Sequence, residues 1–244
     1  MTTFVLVHGA WHGAWCWELL TPELERRGHR CLAVDLPCDD PLATFADYAD
    51  VVCAALPPDR DDNVLVAHSL GGHSATLAAA RGNVARLIYL CALVPEPGRS
   101  MLDQARDGDG MLDQAYLAGL GPADESGRRE WVDEQIARDV IFHDCADDVA
   151  RAAYRRLRPQ ANGLYSVPCP LTELPRLPAT YVLATGDRLV GTEWSRSAAR
   201  RVGAELVEIP GGHSPGLARP AELAEILDSA VPTPGRYEGR GTST

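Results

Sequence analysis

The ten residues from Asn63 to Gly72, NVLVAHSLGG, constrain the fold more than any other stretch of the chain. Asn63-Val64-Leu65-Val66-Ala67 is a short apolar run rich in β-branched residues, the pattern of a buried strand. The chain then turns on small residues and enters Ser74 to Ala80, mostly good helix formers. Ser69 therefore stands where a strand becomes a helix. A side chain there projects from the end of a sheet, and the amides of the first helical turn face whatever it meets. Ser69 is the candidate nucleophile.

The flanking segments extend the same alternation. Phe4 to Val7 reads as a strand ending in the small-residue turn His8-Gly9-Ala10-Trp11-His12-Gly13, and Trp15 to Arg27 has helical spacing and stops at Gly28. Cys31 to Leu36 is a second strand, Phe45 to Leu56 an amphipathic helix ended by Pro57-Pro58, and Arg86 to Val94 a further strand. Strands alternating with helices predict an α/β fold, a mostly parallel doubly wound sheet of about six strands. The alternation lapses between Pro95 and Pro178, where only helical patches at Met111–Leu120, Arg128–Val140 and Ala146–Arg156 are visible. It resumes with a strand at Thr180–Ala184, a helix at Glu193–Arg201, a strand at Glu205–Ile209 and a helix at Ala221–Ala230. The expected organisation is a core over 1–94 and 179–231, a helical cap inserted at 95–178, and a disordered polar tail at 232–244.

Composition removes several classes of function. With 45% apolar residues in 244, the chain can bury one sizeable core. Net charge is −11, and all 23 basic residues are Arg. A basic face for nucleic acid is not expected from that balance. Schiff-base, pyridoxal-phosphate and P-loop chemistries each need a Lys, and the chain has none. The seven Cys are scattered without a C-x-x-C pair, which reads as free thiols in a reducing compartment. No signal peptide or membrane-length apolar run is visible, so the expected location is cytoplasmic. His8, His12, His68 and His73 match no zinc spacing, and neither a metal nor any other cofactor is expected.

A serine hydroxyl needs a base to take its proton and a third group to orient that base. His213 follows the last strand, after Gly211-Gly212, and Asp187 follows the Thr180–Ala184 strand. In a parallel sheet the loops after these strands converge on one rim. Ser69, Asp187 and His213 are therefore the candidate catalytic residues, with Asp35 and Glu96 as rival acids. The amide of Leu70, next after the serine, and that of Ala10, in the turn after the first strand, are the candidate oxyanion donors. Each such donor is worth roughly 2.7–4 kcal/mol of transition-state stabilisation. Trp11, Trp131 and Phe142 are candidates for an apolar substrate wall, and Cys38 reads as a bystander near the pocket mouth.

Phe4 to Trp17 (FVLVHGAWHGAWCW), Ala67 to Gly72 (AHSLGG) and Gly211 to Ser214 (GGHS) resemble the α/β-hydrolase superfamily. Within it the chain is most similar to small esterases of the group that includes plant methylesterases, bacterial pyrethroid-type carboxylesterases and hydroxynitrile lyases. The resemblance reaches to about Val231 and includes Phe142-His143-Asp144-Cys145. It implies a nucleophile, acid and base at Ser69, Asp187 and His213. The lyase branch places a hydroxyl residue just after the first His-Gly and a Lys beside the histidine base; here those places hold Ala10 and Ser214. The resemblance thus implies hydrolysis.

The expectation is a serine carboxylic ester hydrolase acting on a small to medium ester. The many carboxylates of the insert favour a neutral or cationic ester over an anionic one. A non-hydrolytic lyase, decarboxylase or cyclase using the same pocket is the alternative, and a receptor with negligible turnover is a third. The expected partner is a small molecule, with neither nucleic acid nor membrane; a homodimer stays open.

Overall fold

The computed structural model describes residues 1–107 and 110–231, and the expected disordered tail lies outside the described residues. Six strands, β1 (Thr3–Val7), β2 (Arg30–Val34), β3 (Asn63–His68), β4 (Arg86–Leu90), β7 (Ala179–Ala184) and β8 (Glu205–Ile209), form one sheet in the order β2-β1-β3-β4-β7-β8. Every neighbouring pair is parallel. The central strands are buried along their whole length, whereas β2 and β8 are edges that expose Arg30, Glu205 and Glu208. Charged side chains on an edge discourage pairing with another chain.

Period-two alternation builds two cores from one sheet. Val5, Val7, Leu65, Ala67, Leu87 and Tyr89 face a cluster shared with helices α2 (Phe45–Ala55), α3 (Gly71–Ala79) and α7 (Thr192–Arg201). Phe4, Leu6, Val64, Val66, Ile88 and Leu90 face the other way, against Leu20 and Leu24 of α1 (Leu20–Arg26) and Leu223 and Leu227 of α9 (Pro220–Ala230). Helix α2 shows how local sequence sets an element. Thr44 and Asp47 form a capping box at its start, and Phe45, Tyr48, Ala49 and Val52 make its buried stripe.

Several expected boundaries shift for identifiable reasons. The helix expected at Trp15–Arg27 is a short 3₁₀ turn, Ala14–Trp17, followed by α1. Pro22 has no N–H to give a carbonyl one turn earlier, so it is tolerated only in the first turn of a helix that begins near it. Strand β4 stops at Leu90 instead of Val94, because Cys91 takes a left-handed conformation, φ 46°.

Between β4 and β7 the chain forms α4 (Met101–Arg106), a 3₁₀ turn (Gln114–Gly119), β5 (Arg128–Arg129), α5 (Glu134–Ile141), α6 (Asp147–Tyr154), β6 (Gln160–Ala161) and a 3₁₀ turn (Gly163–Ser166). The expected helix at Arg128–Val140 begins only at Glu134. Asp133 caps it by accepting from the Ile136 amide, while Arg128 and Arg129 pair antiparallel with Ala161 and Gln160. A two-residue ladder leaves no alternation to read in the sequence. The short helix α8 (Pro215–Ala218) follows the loop after β8. Among the described residues, no helix is long and apolar enough to cross a membrane.

Strand order reverses between β1 and β3, so the crevice at their carboxyl ends is the topological switch point of the sheet, where open α/β sheets bind ligands. The turn after β1 and Ser69 both lie there. The start of α3 packs on the segment after β4 only because of glycine: a β-carbon on Gly72 would collide with the Leu93 carbonyl oxygen. Because that obstacle is backbone, Gly72→Ala should destabilise the fold by roughly 1–3 kcal/mol, as overpacked sites do. Urea denaturation measures this directly, and an unchanged midpoint would contradict the tight junction.

Candidate active site

Ser69 is one of three non-glycine residues with positive φ, at 52°, among the described residues. Such a conformation costs about 1–3 kcal/mol and persists only where its surroundings enforce it. Backbone bonds from Ser69 N to the Leu90 carbonyl (3.1 Å) and from Leu93 N to the Ser69 carbonyl (2.9 Å) clamp it to the exit of β4. Ala67 is fully buried beneath it, and a β-carbon at Gly71 would lie 2.5 Å from the His8 carbonyl oxygen. Small residues two places to either side are thus a steric requirement. Helix α3 starts immediately after, with Leu70 as its N-cap and its positive dipole end beside the serine.

The Leu70 amide and the Ala10 amide donate to no acceptor among the described residues. Ala10 sits in the turn that follows β1, where Trp11 is also left-handed, φ 61°, and is held by Arg158 N donating to its carbonyl at 2.7 Å. Gly9 packs so closely on this side that an added β-carbon would be 2.7 Å from Ser69 Cβ. The turn and the serine are therefore in contact.

Asp187 and His213 come together as expected: Nδ1 of His213 donates to Asp187 Oδ2 at 2.8 Å, with both side chains nearly excluded from solvent. The other oxygen, Oδ1, accepts from the Leu189 and Val190 amides at 2.8 and 3.0 Å. These bonds fix the carboxylate and leave His213 Nε2 as the free ring nitrogen. His68, adjacent to Ser69 in the chain, bonds through Nε2 to the His213 carbonyl (2.8 Å), and its ring lies 4.7 Å from the His213 ring. The His213 backbone is thereby tied to the residue that precedes Ser69. The Ser69 hydroxyl makes no hydrogen bond to a described group, His213 included; bonds of this type commonly tighten only with substrate bound.

Two residues of the insert brace the loops that carry Asp187 and His213. His143 Nε2 donates to the Gly186 carbonyl at 2.9 Å, and Asp144 Oδ2 accepts from the Gly212 amide at 2.9 Å. Gly186 N also donates to the Gly211 carbonyl at 2.8 Å. Cys91 was not singled out by sequence reasoning, yet its sulfur, an Asp187 oxygen and a His213 nitrogen lie within 4.8 Å of one another. Nothing local in the sequence marks it, since the contact joins the ends of separate strands.

The rival acids are elsewhere. Asp35 is exposed and accepts from the Ala14 amide at 2.8 Å, and Glu96 pairs with Arg99 and Arg201. Cys38 is buried, its thiol directed at the His12 carbonyl.

A cavity of about 290 Å³ opens at Ser69, lined by Ala10, Trp11, Leu70 and Leu93 from the core and by Met101, Leu112, Tyr116, Leu120, Arg129, Asn162 and Tyr165 from the insert. That volume is at the small end of the roughly 300–1,000 Å³ typical of ligand pockets. Trp11 lines it. The other two expected wall residues do not: Trp131 packs behind Trp11, ring centroids 5.7 Å apart, and Phe142 packs against His12 at 5.9 Å. Both are large side chains absorbed into the core, and sequence alone does not show which way a buried aromatic points. The acidic residues of the insert are absent from the described lining, which removes the ground for expecting a cationic substrate.

The alpha/beta hydrolase family matches residues 4–226 of the sequence. The chain belongs to that family. Polyneuridine aldehyde esterase of Rauvolfia serpentina is 29% identical over 92% of this chain and 93% of its own length. Its crystal structure superposes with a TM-score of 0.80, covering 94% of this chain and 98% of that one at 25% identity. The pyrethroid hydrolase of Sphingobium wenxiniae is 26% identical over 99% of this chain and 92% of its own. Methylesterase 7 of Arabidopsis thaliana reaches 41% identity over a shorter match, 38% of this chain and 40% of the relative.

This alpha/beta hydrolase surrounds its rim with neutral imidazoles. Burial pushes His8 down to about 4, overriding Asp35 at 4.0 Å, and pushes His12 and His73 down to about 3. Burial also holds His68 well below the usual histidine range, with the neighbouring His213 acting the same way. His8 shows why: its Nδ1 faces the Gly9 carbonyl and its Nε2 must accept from the Leu36 amide, leaving no place for a second proton. The unfolded chain binds protons at these residues below about pH 6.5, whereas the folded chain refuses them until about pH 4 at His8 and about 3 at His12 and His73. Protons therefore favour unfolding across that interval, and stability rises with pH up to about 6.5. At pH 5 each such histidine should cost about 2 kcal/mol relative to pH 7. Urea midpoints at the two pH values test this; equal midpoints would show that the buried imidazoles protonate without penalty.

Proposed function

We propose that the chain is a serine carboxylesterase acting on small to medium esters through an acyl-enzyme. The observations that carry this reading are the left-handed Ser69 at the strand-to-helix turn, two amides in the adjoining turns without acceptors, and an imidazole oriented by a buried carboxylate. Ser69 Oγ attacks the ester carbonyl as His213 Nε2 takes the hydroxyl proton. Asp187 holds the tautomer with Nδ1 protonated and stabilises the imidazolium that forms. The oxyanion develops toward the Ala10 and Leu70 amides, where preorganised donors need no rearrangement. Collapse expels the alkoxide, which receives the proton from His213, and leaves Ser69 acylated. Water then attacks, gives its proton to His213, and releases the acid.

The relatives named as esterases and hydrolases support the reaction class. Absence of a hydroxyl at Ala10 and of a Lys at Ser214 supports hydrolysis over the lyase chemistry of the wider group. We read the insert at 95–178 as the lid over this rim, since it contributes Met101, Leu112, Tyr116 and Tyr165 to the cavity. Seven free thiols among the described residues fit a cytoplasmic location.

Ser69→Ala should lower kcat on p-nitrophenyl and methyl esters by about 10³-fold or more and abolish labelling by a serine-reactive fluorophosphonate. Asp187→Asn should retain the fold but lose about 10⁴ in kcat, because the orienting bond to Nδ1 then favours the wrong tautomer. Wild-type turnover by the Ser69→Ala protein would refute the acyl-enzyme route.

A further inference from the structure

The cavity wall supplied by the insert carries polarity that ester hydrolysis at Ser69 does not use. Arg129, at the end of β5, lines the cavity. Its Nε donates to the Gly121 carbonyl at 2.8 Å and one Nη2 proton reaches the Leu120 carbonyl at 3.3 Å. Its Nη1 donates to no described group. Neighbouring Arg128 is paired with Asp124, but no described Asp or Glu pairs with Arg129, and none lines the cavity. Backbone carbonyls anchor the guanidinium without neutralising it.

Three further donors surround the same region. The phenols of Tyr116 and Tyr165 and the carboxamide of Asn162 line the cavity and have no hydrogen-bond partner among the described residues. Tyr116 and Tyr165 lie close enough to influence each other, and the Arg129 charge opposes the upward push that burial gives the Tyr116 phenol. The remaining lining is dominated by Leu, Met, Ala and Trp side chains. An uncompensated cation in such surroundings is unfavourable until an anion joins it. Guanidinium also matches the planar fork of a carboxylate better than any neutral acceptor.

We propose that Arg129, with Tyr116, Tyr165 and Asn162, forms an anion subsite, and that the preferred substrates are half-esters carrying a free carboxylate away from the scissile bond. The proposal rests on the esterase reading above and adds the charge of the substrate to it. Net charge of −11 opposes the approach of an anion only at long range. Exposed carboxylates are screened within about 8 Å at physiological ionic strength, whereas the cavity cation acts at contact. The local cation therefore decides selectivity, and the global charge affects only the encounter rate.

The experiment compares monomethyl succinate, glutarate, adipate, pimelate and suberate with the corresponding neutral dimethyl esters. For the length that spans from Ser69 to Arg129, wild-type kcat/KM should favour the half-ester by about ten-fold or more, chiefly through KM. Raising the salt concentration should erode that preference. Arg129→Met should lower the half-ester to diester ratio by at least about ten-fold, with Arg129→Lys restoring part of it. If Arg129→Met fails to fold, the wild-type length and salt dependence still decide. Hydrolysis of both series with no half-ester preference at any length overturns the subsite and leaves the esterase reading standing. No hydrolysis of either series, with no labelling of Ser69, overturns the esterase reading and the subsite with it.

Discussion

The left-handed backbone at Ser69 is the constraint on which the rest of the structure depends. It turns β3 into α3 within two residues, Ser69 and Leu70, so that the side chain stands at the rim beside the start of the helix. Such a conformation is unfavourable locally, and it is enforced from both sides. Strand β3 is buried over its full length between β1 and β4, and the exit of β4 holds Ser69 through two backbone bonds. The small residues at Ala67, Gly71 and Gly72 let β1 and the segment after β4 approach closely enough to make that clamp.

Around this turn the molecule arranges polar groups that are neutral by design of their surroundings. His8, His12 and His68 would each be costly if charged, and each spends a ring nitrogen on a backbone carbonyl. Rigid, uncharged imidazoles position the turn after β1 and the His213 loop. The insert contributes to the same rigidity through His143 and Asp144, which tie the acid and base loops together. It therefore helps to fix the loops that carry Asp187 and His213.

Charge is divided between the outside of the insert and its inside. Apart from Asp144, its acids lie mainly at helix caps and in exposed positions, in pairs such as Asp124 with Arg128 and Asp147 with Arg138. Exposed pairs of this kind contribute little to stability. Arg129 lines the cavity with no acid paired to it among the described residues, and the difference between neighbours in sequence follows from the pleat of a two-residue strand, which sends Arg128 and Arg129 to opposite faces. Composition alone, acidic overall and acidic in the insert, suggested the opposite character for the pocket.

Much of the fold, and the pairing of Asp187 with His213, was legible in the residues because both rest on local rules. Alternating strands and helices predict a parallel sheet. In such a sheet the loops after β3, β7 and β8 share a rim, so Ser69, Asp187 and His213 could be assembled before any coordinates. What sequence could not supply were directions and long-range contacts. Trp131 and Phe142 carry the same apolar signal whether they face a ligand or a neighbouring ring, and packing against Trp11 and His12 decides it. Cys91 meets Asp187, and Arg129 meets the cavity, through juxtapositions of distant segments that no periodicity encodes. The sequence by itself determined the architecture and the strand ends on which the candidate groups sit, since strand burial and turn sterics act over a few residues. Only the tertiary structure decided the shape and charge of the pocket, since those depend on which side chains distant segments turn toward one another.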